Sequence, residues 1–239
     1  MREASELYTG ERRSVSGLVG GQGKLMREYA GANPIGGEFT AQVIAEALSM
    51  GESNACMRRI VAAPTAGACG VLPAVLIPLY WRDNLSEDQM LEALFTASGI
   101  GAVIAYRACI SGAAGGCQAE IGSASAMAAG ALVYLRRGAG EQMCPAVAMA
   151  LGGIDSRIPV DEVIDAMGEV GRRLPVEFRE TALGGLAATP TGKAVKKQLH
   201  GDKKKQRTLT IKDSRWKLER SEEAEEPAVK DSPKGKKGS

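Results

Sequence analysis

The chain has 239 residues, 44% hydrophobic and 24% charged, with a formal net charge of +2, which is enough for one sizeable core plus a tail and does not require a second globular domain. The charge is uneven: residues 201–239 carry 12 Lys and Arg against 8 Asp and Glu, leaving 18 against 20 in residues 1–200, so the basic character belongs to the tail. Aromatic residues are only 4%, so the core must gain its contacts from close approach of Gly- and Ala-rich helices.

The first residues carry Arg2, Glu3 and Glu6 and no apolar run, so no secretory signal is expected. Five cysteines, an odd number outside any small secreted framework, point to a reducing cytoplasm. The first predicted helix is "EFTAQVIAEALSM", Glu38–Met50, whose apolar residues Phe39, Val43, Ile44, Ala47 and Leu48 share one face. "AAPTAG", Ala62–Gly67, sets a Thr and a Gly beside a Pro ahead of a helix, where backbone N–H groups could face an anion such as a carboxylate. The alternative reading is a helix-start turn with no ligand. Ser86 and Gln89 make the S-x-x-Q capping arrangement for a helix that runs to Arg107. Its weakly polar run, Leu91–Ala105, contains Glu92 and falls short of the ~20 apolar residues of a membrane span, so a buried helix is expected there and no membrane.

Next comes "ISGAAGGCQAEIGSASAMAAGALV", Ile110–Val133, which surrounds Cys117 with small residues and puts Glu120 three positions on. "VDEVIDAMGEVGRRL" follows Pro159, with acids in its first turns and arginines near its end, in agreement with the helix dipole. "AATPTG", Ala187–Gly192, nearly repeats the earlier Thr-bearing turn. From Lys203 onward apolar residues are few and irregular, so a disordered charged tail is expected over residues 201–239, with at most a short helix near Trp216. Glu and Asp interleave with its Lys and Arg, and a nucleic-acid partner is not expected. With no Asn-Gly or Asp-Gly turn and no alternating Val/Ile/Tyr run, the fold class is all-α: one helical domain over residues 1–200.

Several chemistries are excluded from that core. Its single histidine, His200, lies at the tail junction, so no Ser-His-Asp triad, Cys-His pair or His-rich zinc site can form inside. No lysine occurs between Lys24 and Lys193, and pyridoxal phosphate requires a Schiff-base lysine. The P-loop pattern is absent, and "GIGAVI" lacks the third glycine of a dinucleotide fingerprint. What remains is cysteine, carboxylate, hydroxyl and backbone. Thiolates hold iron–sulfur clusters, and a bulky cluster needs small residues so that backbone can reach its sulfides. Cys117 fits that description, but composition alone favours the other reading, a small apolar residue at a tight helix contact. There is no CxxC pair.

Four blocks carry a resemblance: "RSVSGLVGGQGKLMREY", "AAPTAGACGVLPAVL", "SGAAGGCQAEIGSASAMAAGALV" and "SRIPVDEVIDAMGEVGRRLPVEFRETALGGLAATPTGK". In this order, over Arg13 to Lys193, they resemble the alpha chain of the iron–sulfur-dependent L-serine dehydratase family. The resemblance implies a helical lyase of amino-acid degradation that feeds gluconeogenesis, acts with a beta chain, and converts L-serine to pyruvate and ammonia without pyridoxal phosphate. It implies that Cys117 is a ligand of a 4Fe-4S cluster acting as Lewis acid toward the serine hydroxyl. Glu120 is then the candidate catalytic carboxylate. Ser16, Thr65, Gly67 and Ser111 are the candidate substrate-binding residues, offering hydroxyl and backbone donors. The sequence also departs from the family pattern. A "CDPVAGLVEVPC"-like segment with two further cluster cysteines is absent, so the domain is internally shortened near residues 142–146. Cys144 at that junction is a candidate replacement ligand, with Cys69 in the "PTAGACG" turn as another. The departure leaves a second expectation open: a catalytically inactive truncated remnant, or a regulatory partner of a complete dehydratase.

Overall fold

The structure, a computed structural model, describes residues 1–153, 157–175 and 178–179, and the backbone of 207–212 and 215–220. The chain divides into two compact units, Met1–Lys193 and Ala194–Ser239.

In the first unit the described residues form nine α-helices: α1 (Arg2–Glu6), α2 (Gln22–Ala30), α3 (Glu38–Ala55), α4 (Val71–Arg82), α5 (Glu87–Arg107), α6 (Gly112–Cys117), α7 (Ser123–Leu135), α8 (Gly140–Gly152) and α9 (Val160–Arg173), with a π-helical turn over Gln118–Gly122 between α6 and α7. The all-α core expected from the sequence is what the structure shows. The start of α5 is the predicted capping box: Gln89 N–H donates to Ser86 Oγ at 3.2 Å, and Ser86 N–H donates to the Gln89 side chain at 2.9 Å.

Helix α7 sits at the centre, and apart from Met127 the residues it buries are all Ala, Gly or Ser. On one side Ala124, Met127, Ala128 and Ala131 pack with Leu72 and Leu76 of α4 and Ala93 and Ala97 of α5. On the other, Ala126 joins Ile104, Val147, Ala148, Leu151, Val163 and Ile164. Helices α5 and α7 approach through paired notches, Met127 lying over Gly101 and Ile100 over Gly130. Helix α5 combines the length and apolar composition of a membrane-crossing helix. The buried helix expected there is only partly so: Ala93, Ala97, Gly101 and Ile104 are buried, while Leu91, Phe95, Val103 and Tyr106 are exposed, and its last residue, Arg107, forks onto Asp165 of α9 at 3.0 and 2.7 Å.

Helix α3 forms where predicted and runs further, but with a different face inward. Ile44 and Leu48 are exposed, while Ala41, Ala45, Glu46, Ser49, Met50, Glu52 and Ser53 are buried. Small residues on that side let α2 and α4 come close. Two carboxylates on it find donors in α2 and its start, Glu46 from Arg27 and Glu52 from the Gly21, Gln22 and Gly23 N–H groups.

In the second unit β1 (Arg207–Lys212) pairs antiparallel with β2 (Arg215–Arg220), Ile211 opposite Trp216. The segment around Trp216 is therefore a strand of a hairpin, where the sequence led us to expect at most a short helix. The second Thr-bearing turn, 187–192, and His200 lie outside the described residues.

Candidate active site

The turn between α3 and α4 and the turn between α6 and α7 meet. In the first, Thr65 places its hydroxyl under the Ala68 N–H, which donates to Oγ1 at 3.4 Å. Asn54, near the end of α3, holds the turn by donating Nδ2–H to the Ala66 carbonyl at 3.0 Å. In the second, Gly116 has φ +74° and ψ −174°, a conformation open to glycine and strained for other residues. This breaks the helix before Cys117, and the chain re-enters as the wide π turn, the type of irregularity that recurs at functional sites. Ser123 anchors the turn by donating Oγ–H to the Ala119 carbonyl at 2.5 Å, and Gln118 ties it to the Leu151 carbonyl of α8.

Because the turn is wide, its side chains diverge. Cys117 is exposed, whereas Glu120 is 7% exposed and points at the α3–α4 turn, where Thr65 Oγ1–H donates to its Oε1. Gly67 completes the contact: a Cβ on it would lie 2.6 Å from Glu120 Oε1 and 2.8 Å from Cδ and Oε2, so only a residue without a side chain admits the carboxylate there. In this chain the Thr-bearing turn meets the Glu120 carboxylate through the Thr65 hydroxyl.

Of the predicted site residues, the structure brings together Thr65, Gly67 and Glu120. Ser111 occupies the N-cap position of α6 without a side-chain cap bond. Ser16 belongs to a separate exposed loop, its Oγ 3.0 Å from Ser14 Oγ. The glycine-rich start of α2 behind that loop already holds an anion. Gly21, Gln22 and Gly23 N–H donate to the Glu52 carboxylate at 2.9, 2.6 and 3.1 Å, and Tyr8 adds its hydroxyl. Burial first, and the bond to Glu52 second, push the Tyr8 hydroxyl up to about 12. Sequence reasoning missed Glu52 and Asn54. The available signal was a row of small and polar residues, Glu46, Ser49 and Ser53, repeating at helical spacing on the side of α3 opposite the branched residues.

The same geometry tests the implied cluster, which needs several converging thiolates. Cys69 is 2% exposed, its Sγ rests 3.8 Å from the Met50 carbonyl, and burial, with the Glu120 charge adding to it, pushes its thiol up. Cys109 sits where Gly115 and Gly171 cross: a Cβ on Gly115 would lie 2.6 Å from its Sγ. Cys144 is exposed in a groove of about 340 Å³ with Val103, Val147 and Ile164. Among the described residues no group of three or more His, Cys, Asp or Glu is placed to hold a metal ion, so these donors alone do not fit a four-iron cluster.

Comparison with known proteins places the chain in a family. The family model described as "Serine dehydratase alpha chain" matches residues 1–155 and 145–187. A probable L-serine dehydratase alpha chain of Bacillus subtilis (strain 168) is 40% identical over 227 positions that take in 79% of this chain and 76% of that protein. The L-serine dehydratase alpha chain of Peptoniphilus asaccharolyticus is 38% identical, with 75% of each chain covered. L-serine dehydratase 1 of Escherichia coli (strain K12) is 33% identical, with 59% of this chain and 40% of that protein covered. Since 79% of 239 residues is about 189, about 38 of the 227 positions in the Bacillus alignment face no residue here. The two stretches matched by the family model meet and overlap at 145–155, beside the expected junction. Glu120, Thr65 and Gly67 all lie within the first matched stretch, and the chain belongs to the serine dehydratase alpha chain family.

Proposed function

We propose that this chain is the alpha subunit of an L-serine dehydratase, a lyase converting L-serine to pyruvate and ammonia in the reducing cytoplasm together with a beta chain. The observation that carries this reading is the closure of the Thr65–Gly67 turn on the Glu120 carboxylate, a buried acid held by a hydroxyl and beside exposed Cys117 in the chain. In this reading Glu120 sits at the substrate, where it orients the serine ammonium or moves a proton. Thr65 fixes the rotamer of Glu120, and Ser111 supplies a hydroxyl near the opening of the same segment. All five cysteines of this chain lie among the described residues and do not converge, so a 4Fe-4S cluster resting on Cys117 would need its other thiolates from a second chain; such a cluster would supply a Lewis acid for the serine hydroxyl. The test is co-expression with a beta chain under anaerobic conditions with iron and sulfide, followed by assay of pyruvate from L-serine. Turnover supports the reading, and absence of turnover from a folded complex defeats it.

A second reading is favoured by two counts: about 38 positions of the Bacillus alignment have no counterpart here, and the family model matches the chain in two stretches, 1–155 and 145–187. In it the chain is a catalytically inactive, internally truncated form or a regulatory partner of a complete dehydratase. Copurification with a beta chain in a complex that makes no pyruvate supports this second reading.

A further inference from the structure

The end of α9 lies across the turn that carries Cys117 and Glu120. Gly171 crosses Gly115 so closely that a Cβ on Gly171 would lie 3.0 Å from the Gly115 Cα. One residue on, a Cβ on Gly116 would lie 2.6 Å from Leu174 Cδ2 and 3.5 Å from the Phe178 carbonyl oxygen. The space that a side chain on Gly116 would need is therefore filled by the chain leaving α9. Gly116 is also the residue whose φ of +74° breaks the helix before Cys117, so whatever fills that space backs the break itself.

Leu174 ends α9 in extended backbone, with φ −63° and ψ 124°, and the carbonyls of a last helical turn have no partner within the helix. Arg179 supplies one. Its Nε–H donates to the Leu174 carbonyl at 2.9 Å, and its Nη2 group donates to the Gly171 and Arg172 carbonyls at 3.2 and 3.0 Å. A guanidinium there also suits the negative end of the helix dipole. Phe178 N–H donates to the Pro175 carbonyl at 3.0 Å and closes the turn between them. The basic residues of α9 itself do not compete, because Arg172 and Arg173 are drawn back onto Glu169 at 2.8 and 2.6 Å.

We propose that Arg179 is a positioning residue for the Cys117–Glu120 turn: by binding three carbonyls at the end of α9 it holds Leu174 and Phe178 against Gly116, and so fixes the break from which Cys117 and Glu120 diverge. Its bearing on catalysis rests on the dehydratase reading; the coupling of α9 to the π turn does not.

Hydrogen–deuterium exchange of the full chain, read on peptides from α9, from α5 and from residues 111–122, tests the proposal. Arg179→Ala speeds exchange in α9 and in 111–122 by roughly tenfold or more, the loss expected for one charge-assisted hydrogen bond, and leaves α5 as in the parent. Leu174→Ala keeps the three bonds and removes the contact with Gly116, so it speeds exchange in 111–122 and spares α9; it serves as the test should Arg179→Ala not fold. Arg179→Lys, which keeps a cation at the helix end, recovers part of the protection. In the reconstituted complex with a beta chain, Arg179→Ala lowers kcat for pyruvate more than it raises KM, and Arg179→Lys restores part of kcat. Faster exchange confined to α9, or 111–122 unchanged in both alanine variants, would make Arg179 a helix cap and nothing more and would overturn the proposal. Faster exchange in 111–122 together with a parent complex that makes no pyruvate would support the positioning and defeat the dehydratase reading instead.

Discussion

Thr65 donates its hydroxyl hydrogen to Glu120 across 55 residues of sequence, joining the turn before α4 to the π turn before α7. Thr65→Val keeps the shape and removes the donor, leaving a buried carboxylate with one partner fewer. We expect a loss of about 1–3 kcal/mol, read as a lower urea midpoint with an unchanged slope. Pyruvate formation in the complex should fall more than stability does.

Gly67 makes a sharper test of the same contact. Gly67→Ala brings a methyl group within 2.6–2.8 Å of the Glu120 carboxyl atoms, and overpacking of this kind costs about 1–3 kcal/mol. In a double-mutant cycle Glu120→Ala should relieve part of that cost, giving a non-additive pair. Strict additivity would mean that the two residues are not in contact.

Glu52 closes the start of α2, accepting three backbone N–H groups and the Tyr8 hydroxyl. Glu52→Ala strands these donors and should cost about 3 kcal/mol or more, measured by thermal melting. Tyr8→Phe removes one donor only and should cost about 1 kcal/mol.

The Tyr8 bond also sets a pH dependence. Its folded value, about 12, lies above the ordinary tyrosine value of about 10. The stabilisation is therefore fully present below about pH 10 and is lost as pH rises through about 12. Between those limits the melting temperature of the parent chain should fall more steeply than that of Tyr8→Phe. Parallel profiles would show that Tyr8 ionises normally.

Cysteine reactivity should follow placement. Alkylation followed by peptide mass spectrometry should find Cys117 and Cys144, both exposed, modified well before Cys69, which is buried and whose thiol is pushed up by that burial. Early modification of Cys69 would mean that the α3–α4 turn opens readily.

Much of the fold was legible because it was written locally. Ser86 and Gln89 announce the start of α5, Pro159 and the acids after it announce α9, and the Ala/Gly content of 110–133 anticipates the central α7. The pairing of Thr65 and Gly67 with Glu120 was legible only as three candidates, since their proximity depends on how α4 and α7 cross. The buried side of α3 was misread because hydrophobic periodicity weights Ile44 and Leu48 and gives no weight to a carboxylate whose partners lie 30 residues away. The small residues around Cys117 have the packing role that composition offered as one reading: Gly115 meets Gly171 and Cys109, and Gly116 meets Leu174, while Cys117 itself is exposed. The β1–β2 pairing escaped detection because charged residues dilute its alternating pattern.

The most direct measurement is pyruvate release from L-serine by the anaerobically reconstituted complex of this chain with a beta chain, comparing the parent with Glu120→Gln at equal folded concentration. The account predicts turnover in the parent and its loss in Glu120→Gln, with both complexes intact. Equal turnover in the two, or none in an intact parent complex, would contradict it.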